Sequence, residues 1–139
     1  MKFMVIVKAS QESEAGVMPS PEGFTAMGQY NEELVKAGVL LAGEGLHPSS
    51  KGVRIRFSGD KRAVIDGPFT ETKELIAGFW LFDVRSREEA IEWVKRAPFD
   101  GGTEIEVRQV FAPEDFAGAV PQEVLDQESR LRAQGVKIG

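Results

Sequence analysis

The chain lacks cysteine altogether and holds one histidine and one tyrosine in 139 residues. Without thiols it can form no disulfide, no thiolate zinc site and no cysteine nucleophile. His47 and scattered carboxylates show no recognisable ligand spacing, although Asp66, Glu71 and His47 could converge by folding, so neither a metal nor a cofactor is expected. Basic residues are also short: 17 Lys and Arg stand against 22 Asp and Glu, a net charge of −5. That balance gives no electrostatic case for nucleic acid. Long apolar runs are missing too. The stretch from Met1 to Lys8 is far too short for a signal peptide or a membrane span, so a soluble, cytoplasmic protein is expected. Gly43-Glu44-Gly45 lacks the third glycine and the following helix of a dinucleotide motif, and reads better as a bulge or a close strand approach.

What the chain does have is a globular composition, 42% hydrophobic and 28% charged, at a length that fits one domain with a real core. Phe3 to Val7 reads as a strand, and the polar stretch Ser10 to Ser20 as a loop. Ser20 followed by Pro21 opens a helix with Phe24, Met27, Leu34 and Val35 at helical spacing, closed by Gly38. Val39 to Leu46 forms a second strand. Val53, Ile55 and Phe57 alternate with Arg54 and Arg56, a half-buried strand with a basic outer face that turns at Ser58-Gly59-Asp60 into Arg62 to Ile65. Gly78 to Val84 is apolar throughout. Ser86-Arg87-Glu88-Glu89 spells a capping box before Ala90, Ile91, Trp93 and Val94, with a stop near Pro98, and Ile105, Val107 and Gln109 line one face of a last strand. Trp80, Trp93 and the phenylalanines are expected in the core, with Tyr30 as a pocket wall.

That order is an α+β, ferredoxin-like plan, strand-helix-strand and strand-helix-strand, with an added β-hairpin. It predicts one domain over residues 1–116 and a C-terminal helical extension over 117–139, where Pro121 to Gln134 carries a weak stripe of Val124, Leu125 and Leu131. Two helices on one sheet face leave the other bare, yet Phe3–Val7 and Phe79–Val84 are apolar at odd and even positions alike. A second copy stacked sheet on sheet would cover that surface, which predicts a homodimer.

Between Asp66 and Glu74 the chain reads Asp-Gly-Pro-Phe-Thr-Glu-Thr-Lys-Glu. Gly67 and Pro68 force a sharp exit from the preceding strand, through a peptide bond that can be cis. Asp66 there can either point into a cleft or bond the amides of its own turn. Phe69 is expected to anchor the loop in the core. The wording resembles the DGPF segment of the YCII-related family, and the resemblance extends over roughly Met1 to Phe116. It implies a dimeric α+β barrel. It also implies that Asp66 is a site residue of a His and Asp pair used for acid-base work. The family's histidine would fall near Ala26 or Met27, where this chain has none, so His47 is the substitute candidate.

A histidine can exchange protons near neutral pH, and His47 sits, like Asp66, at a strand end, so the two could share a pocket mouth; the plain alternative is a surface-loop histidine. Arg54 and Arg56 are either an exposed strand face or a clamp for a carboxylate or phosphate. Glu44, Pro68, Phe69, Glu71 and Lys73 complete the candidate ligand-binding set, though Lys73 between Glu71 and Glu74 also fits a solvated turn. Two function classes follow. One is a small-molecule enzyme or binding protein with Asp66 as acid or base and His47 assisting. The resemblance extends that class to monooxygenase, lactone isomerase and dehalogenase relatives, among which fold cannot choose. The other is a non-catalytic accessory or regulatory dimer, which the resemblance links to extracytoplasmic-function sigma factors.

Overall fold

The structure, a computed structural model, describes residues 1–138. Its strands are β1 (Lys2–Lys8), β2 (Leu40–Gly45), β3 (Val53–Ser58), β4 (Lys61–Asp66), β5 (Ile76–Asp83) and β6 (Ile105–Gln109). Its helices are α1 (Gln11–Glu14), α2 (Pro21–Lys36), α3 (Arg87–Lys95) and α4 (Gln122–Ala133), with single 3-10 turns at Ser49–Lys51, Thr72–Glu74 and Pro113–Phe116. Four strands form an antiparallel sheet in the order β2-β5-β1-β6, while β3 and β4 pair only with each other. With the hairpin set aside, this is the ferredoxin-like arrangement of two strand-helix-strand units.

The helices form where local chemistry allows. Ser20 Oγ accepts from the Gly23 N–H at 3.1 Å, and Pro21 occupies the first turn, where no amide is needed. Gly38, at φ +72°, ends α2, with its N–H on the Val35 carbonyl and the Val39 N–H on Leu34. At α3 only half of the expected capping box forms. Ser86 Oγ accepts from the Glu89 N–H, but the Glu89 carboxylate reaches one residue further back, to the Arg85 N–H at 3.0 Å. Ser10 to Ser20, expected as loop, begins instead with α1, whose start is closed reciprocally by Ser10 and Ser13.

Both long helices cover one face of the sheet. Odd residues of β1 and β6 and even residues of β5 share that face by register, so Phe3, Val5, Trp80 and Phe82 meet Tyr30 and Leu34 of α2 and Ala90 of α3. Burying Phe82, Leu34 and Val5 completely contributes about 1.5–3 kcal/mol each. Of the expected α2 stripe, Met27 and Leu34 pack inward as predicted, while Phe24 and Val35 point to solvent, and Tyr30 is core rather than pocket wall. Tyr30 packs edge-on to Trp80 with ring centroids 5.5 Å apart, and its hydroxyl donates to the Trp93 carbonyl at 2.7 Å. Burial pushes its phenol up to about 12, with Glu33 adding to the effect and Arg96 opposing it. Gly43 is required where it stands, because a Cβ there would lie 2.8 Å from Trp80 Cδ1 across the ladder.

The opposite face carries Met4, Ile6, Phe79 and Leu81, none of which joins the helix-side cluster. The hairpin departs most from expectation. Ile55 is 54% exposed and Phe57 70%, where a half-buried strand was predicted. Both faces of β3–β4 stand largely clear, because among the described residues no other strand pairs with the hairpin. Phe24, Phe57 and Phe111 are likewise exposed rather than core. Among the described residues no helix is long and apolar enough to cross a membrane.

Candidate functional site

The loop after β4 is held against the loop after β2 by backbone contacts that only its sequence permits. Asp66 ends β4 opposite Val53, and the next N–H, from Gly67, donates to the Gly52 carbonyl at 2.9 Å. A Cβ on Gly67 would sit 1.8 Å from the Ser49 carbonyl oxygen, so the two loops can approach this closely only around a glycine. The Gly67–Pro68 peptide is cis. One residue later the Phe69 N–H donates to Ser49 Oγ at 3.0 Å. Ser49 in turn donates through its N–H to Glu14 Oε2 at 2.9 Å and through its hydroxyl to Glu14 Oε1. Glu14, at the end of α1, thus ties the two loops together through one serine.

Beside this tie lies a cleft of about 460 Å3, within the size range of small-molecule sites. Its apolar walls are Leu46, Pro48, Val53, Phe69, Leu75 and Ile76. Its polar rim is Glu14, His47, Ser49, Lys51, Arg54 and Glu74. The Arg54 guanidinium lies 3.8 Å from the centre of the Phe69 ring, a cation–π contact. Phe69, expected as a core anchor, is therefore half-buried under an arginine at the cleft wall.

Of the residues singled out in the sequence, the cleft takes His47, Arg54 and Phe69. Asp66 is exposed and does not line it, although it stands directly across the ladder from Val53, which does. Among the described residues no group donates a hydrogen bond to the Asp66 carboxylate, so it does not organise its own turn; the loop's side-chain acceptor is Ser49. Glu44 faces the side of the sheet away from the helices, opposite Phe79, and is exposed. Arg56 lies two residues further along the hairpin, outside the cleft, as do Pro68, Glu71 and Lys73. His47 and Asp66 are thus not gathered into one pocket. Among the described residues no three His, Asp or Glu side chains come together as a metal would require.

Sequence reasoning missed Glu14, Ser49, Lys51 and Glu74. The pair Ser10 and Ser13 held a signal for α1, since hydroxyls three apart can cap each other. Nothing local marks Glu14 as the partner of a serine 35 residues away.

Comparison with known proteins places this arrangement. An uncharacterised protein of Rhizobium meliloti is 34% identical over 83 residues, covering 57% of this chain and 67% of that one. Among solved structures, 5-chloro-2-hydroxyhydroquinone dehydrochlorinase from Burkholderia phenoliruptrix, in complex with 2,5-dihydroxybenzoquinone, aligns over 82% of this chain and 98% of its own, at 17% identity and a TM-score of 0.41. At that degree of likeness no activity passes from one chain to the other. The YCII-related domain model matches residues 1–114, which contain the whole sheet, the hairpin and every residue of the cleft, and the chain belongs to the YCII-related family.

Proposed function

We propose that this protein is a small-molecule-binding member of the DGPF branch of its family. Its ligand sits in the cleft between the β2 exit, the base of the hairpin and the loop from Asp66 to Glu74. The observation that carries the reading is the cleft itself: about 460 Å3, apolar-walled, and rimmed by the chain's only histidine. In this reading His47 is the proton-exchanging group, and Asp66, one step across the ladder from Val53, stands outside the mouth. The accessory alternative draws no support from Asp66, whose carboxylate is not engaged by its own loop.

The test is a titration of the 15N-labelled protein with a panel of small organic acids, alcohols and amines. Amide shifts clustered over Leu46–Arg54 and Phe69–Ile76 support the reading; shifts scattered elsewhere, or none with any compound, reject it. Asp66→Asn should change stability by no more than about 0.5 kcal/mol, as expected for a surface substitution away from structural bonds. A loss well above that in a urea melt would make Asp66 a structural residue.

We also infer that the working form is a homodimer whose helix-free sheet faces stack as a barrel. Met4, Phe79 and Leu81, half-buried on the face away from the helices, support this, because an apolar sheet face that no helix of the chain packs against is commonly closed by a second sheet.

A further inference from the structure

The chemistry of the cleft's walls goes beyond its size. Resting on the reading that the cleft is a ligand site, we propose that its ligand is a small organic monoanion: a carboxylate on a flat apolar body, gripped by Arg54. Three observations lead there. First, the Arg54 guanidinium carbon lies 3.8 Å from the Phe69 ring centre, and among the described residues its N–H donors make no hydrogen bond. Arg54 and Lys51 make no ion pair among the described residues, as holds for most of the chain's Lys and Arg, so their charges are available to a ligand. A planar fork of free donors at an apolar wall matches a carboxylate in geometry and charge.

Second, Phe69 is itself fixed. Its N–H is bound by Ser49 Oγ, and Ser49 is doubly bound by Glu14, so the arginine's platform is tied to α1. This makes Glu14 and Ser49 positioning residues and uses up the Glu14 carboxylate. Third, the fixed charges on the rim are Lys51 and Arg54 against Glu14 and Glu74. They balance, so the rim has no surplus positive charge to hold a second negative charge, and a monoanion met by Arg54 fits better than a more highly charged anion. The apolar remainder of the wall, Leu46, Val53, Leu75 and Ile76, suits a flat hydrocarbon body.

Benzoate, its neutral isostere benzamide and inorganic phosphate are the probes, each titrated into the 15N-labelled full chain at low salt. Benzoate should shift the cleft amides with a Kd at least tenfold below that of benzamide and of phosphate, weakening as salt is added. Arg54→Gln should erase the benzoate preference and Arg54→Lys restore only part of it, with the rest of each spectrum unchanged. Equal affinity for benzoate and benzamide, or a phosphate Kd below that of benzoate, overturns the assignment of ligand class but leaves the cleft a binding site. No shift at the cleft with any probe overturns both. Should Arg54→Gln fail to fold, the comparison of the three probes on the unmodified chain still decides.

Discussion

Tyr30 and Gly67 are the residues whose chemistry is most narrowly fixed by their surroundings. Burial raises the Tyr30 phenol from 10.0 to about 12, so the folded state holds the proton that the unfolded chain gives up. The folded pKa of an acid lying above its unfolded value means that this contribution is complete below pH 10 and is lost as pH rises from 10 to about 12. The loss is on the order of 3 kcal/mol, from a shift of two units. Tyr30→Phe should remove that alkaline loss, which urea melts from pH 9 to 12 would show as a flatter profile than the parent's. At neutral pH the same change costs only about 1 kcal/mol, because the Trp93 carbonyl keeps the Arg96 N–H at 3.1 Å. At Gly67 a methyl group would collide with the Ser49 carbonyl, and both partners are backbone. Gly67→Ala should therefore destabilise by about 1–3 kcal/mol and disperse the amide signals of both loops. A stable variant with an unchanged spectrum would show that the close approach is dispensable.

Among the elements, α1 is too short to be stable by itself and gains its role from one side chain. Ser49→Ala cuts the hydroxyl link on both sides, freeing a Glu14 oxygen and leaving the Phe69 N–H without its acceptor. The expected cost is about 1–2 kcal/mol. Hydrogen exchange at the Phe69 amide is the direct readout, and protection equal to the parent's would rule out the tie. The hairpin is the opposite case. Its register is complete from Val53↔Asp66 to Ser58↔Lys61, yet a two-stranded ribbon with Ile55, Phe57 and Val64 in water is marginal without a covering surface. Arg62 over the Phe57 ring at 4.4 Å shields only part of that surface.

For the molecule as a whole, the sheet divides into a face closed by α2 and α3 and a face carrying Met4, Ile6, Phe79 and Leu81. The homodimer inferred from that second face predicts the mass of two chains in light scattering at tens of micromolar. Leu81→Lys, which puts a charge on that face and leaves the helix-side core untouched, should yield single chains that keep their helical circular dichroism. A parent protein that already runs as one compact chain at that concentration would refute the dimer. The tail stands apart from this division. Phe111 packs at a tilt against Phe116 with ring centroids 4.8 Å apart, and Arg132 binds Glu128 and the Ile138 carbonyl, so its contacts are largely its own.

The succession of strands and helices, the helix caps and the hairpin turn were legible in the chain because they rest on interactions three or four residues apart, or on side-chain periods of 2 and 3.6. Ser20-Pro21, Gly38 and the apolar alternation of Val53 to Phe57 each carry their instruction locally. The surroundings of the cleft were partly legible: the Asp66–Glu74 loop borders it, and His47 and Arg54 line it. What folding alone decided was which partners long loops bring together. Glu14 meets Ser49, Phe69 lies beneath Arg54, and Asp66 is left outside. Such contacts depend on where whole elements dock, and the energy that docks them is the non-directional burial of Phe3, Val5, Trp80 and Phe82, which leaves no mark beside the residues it aligns.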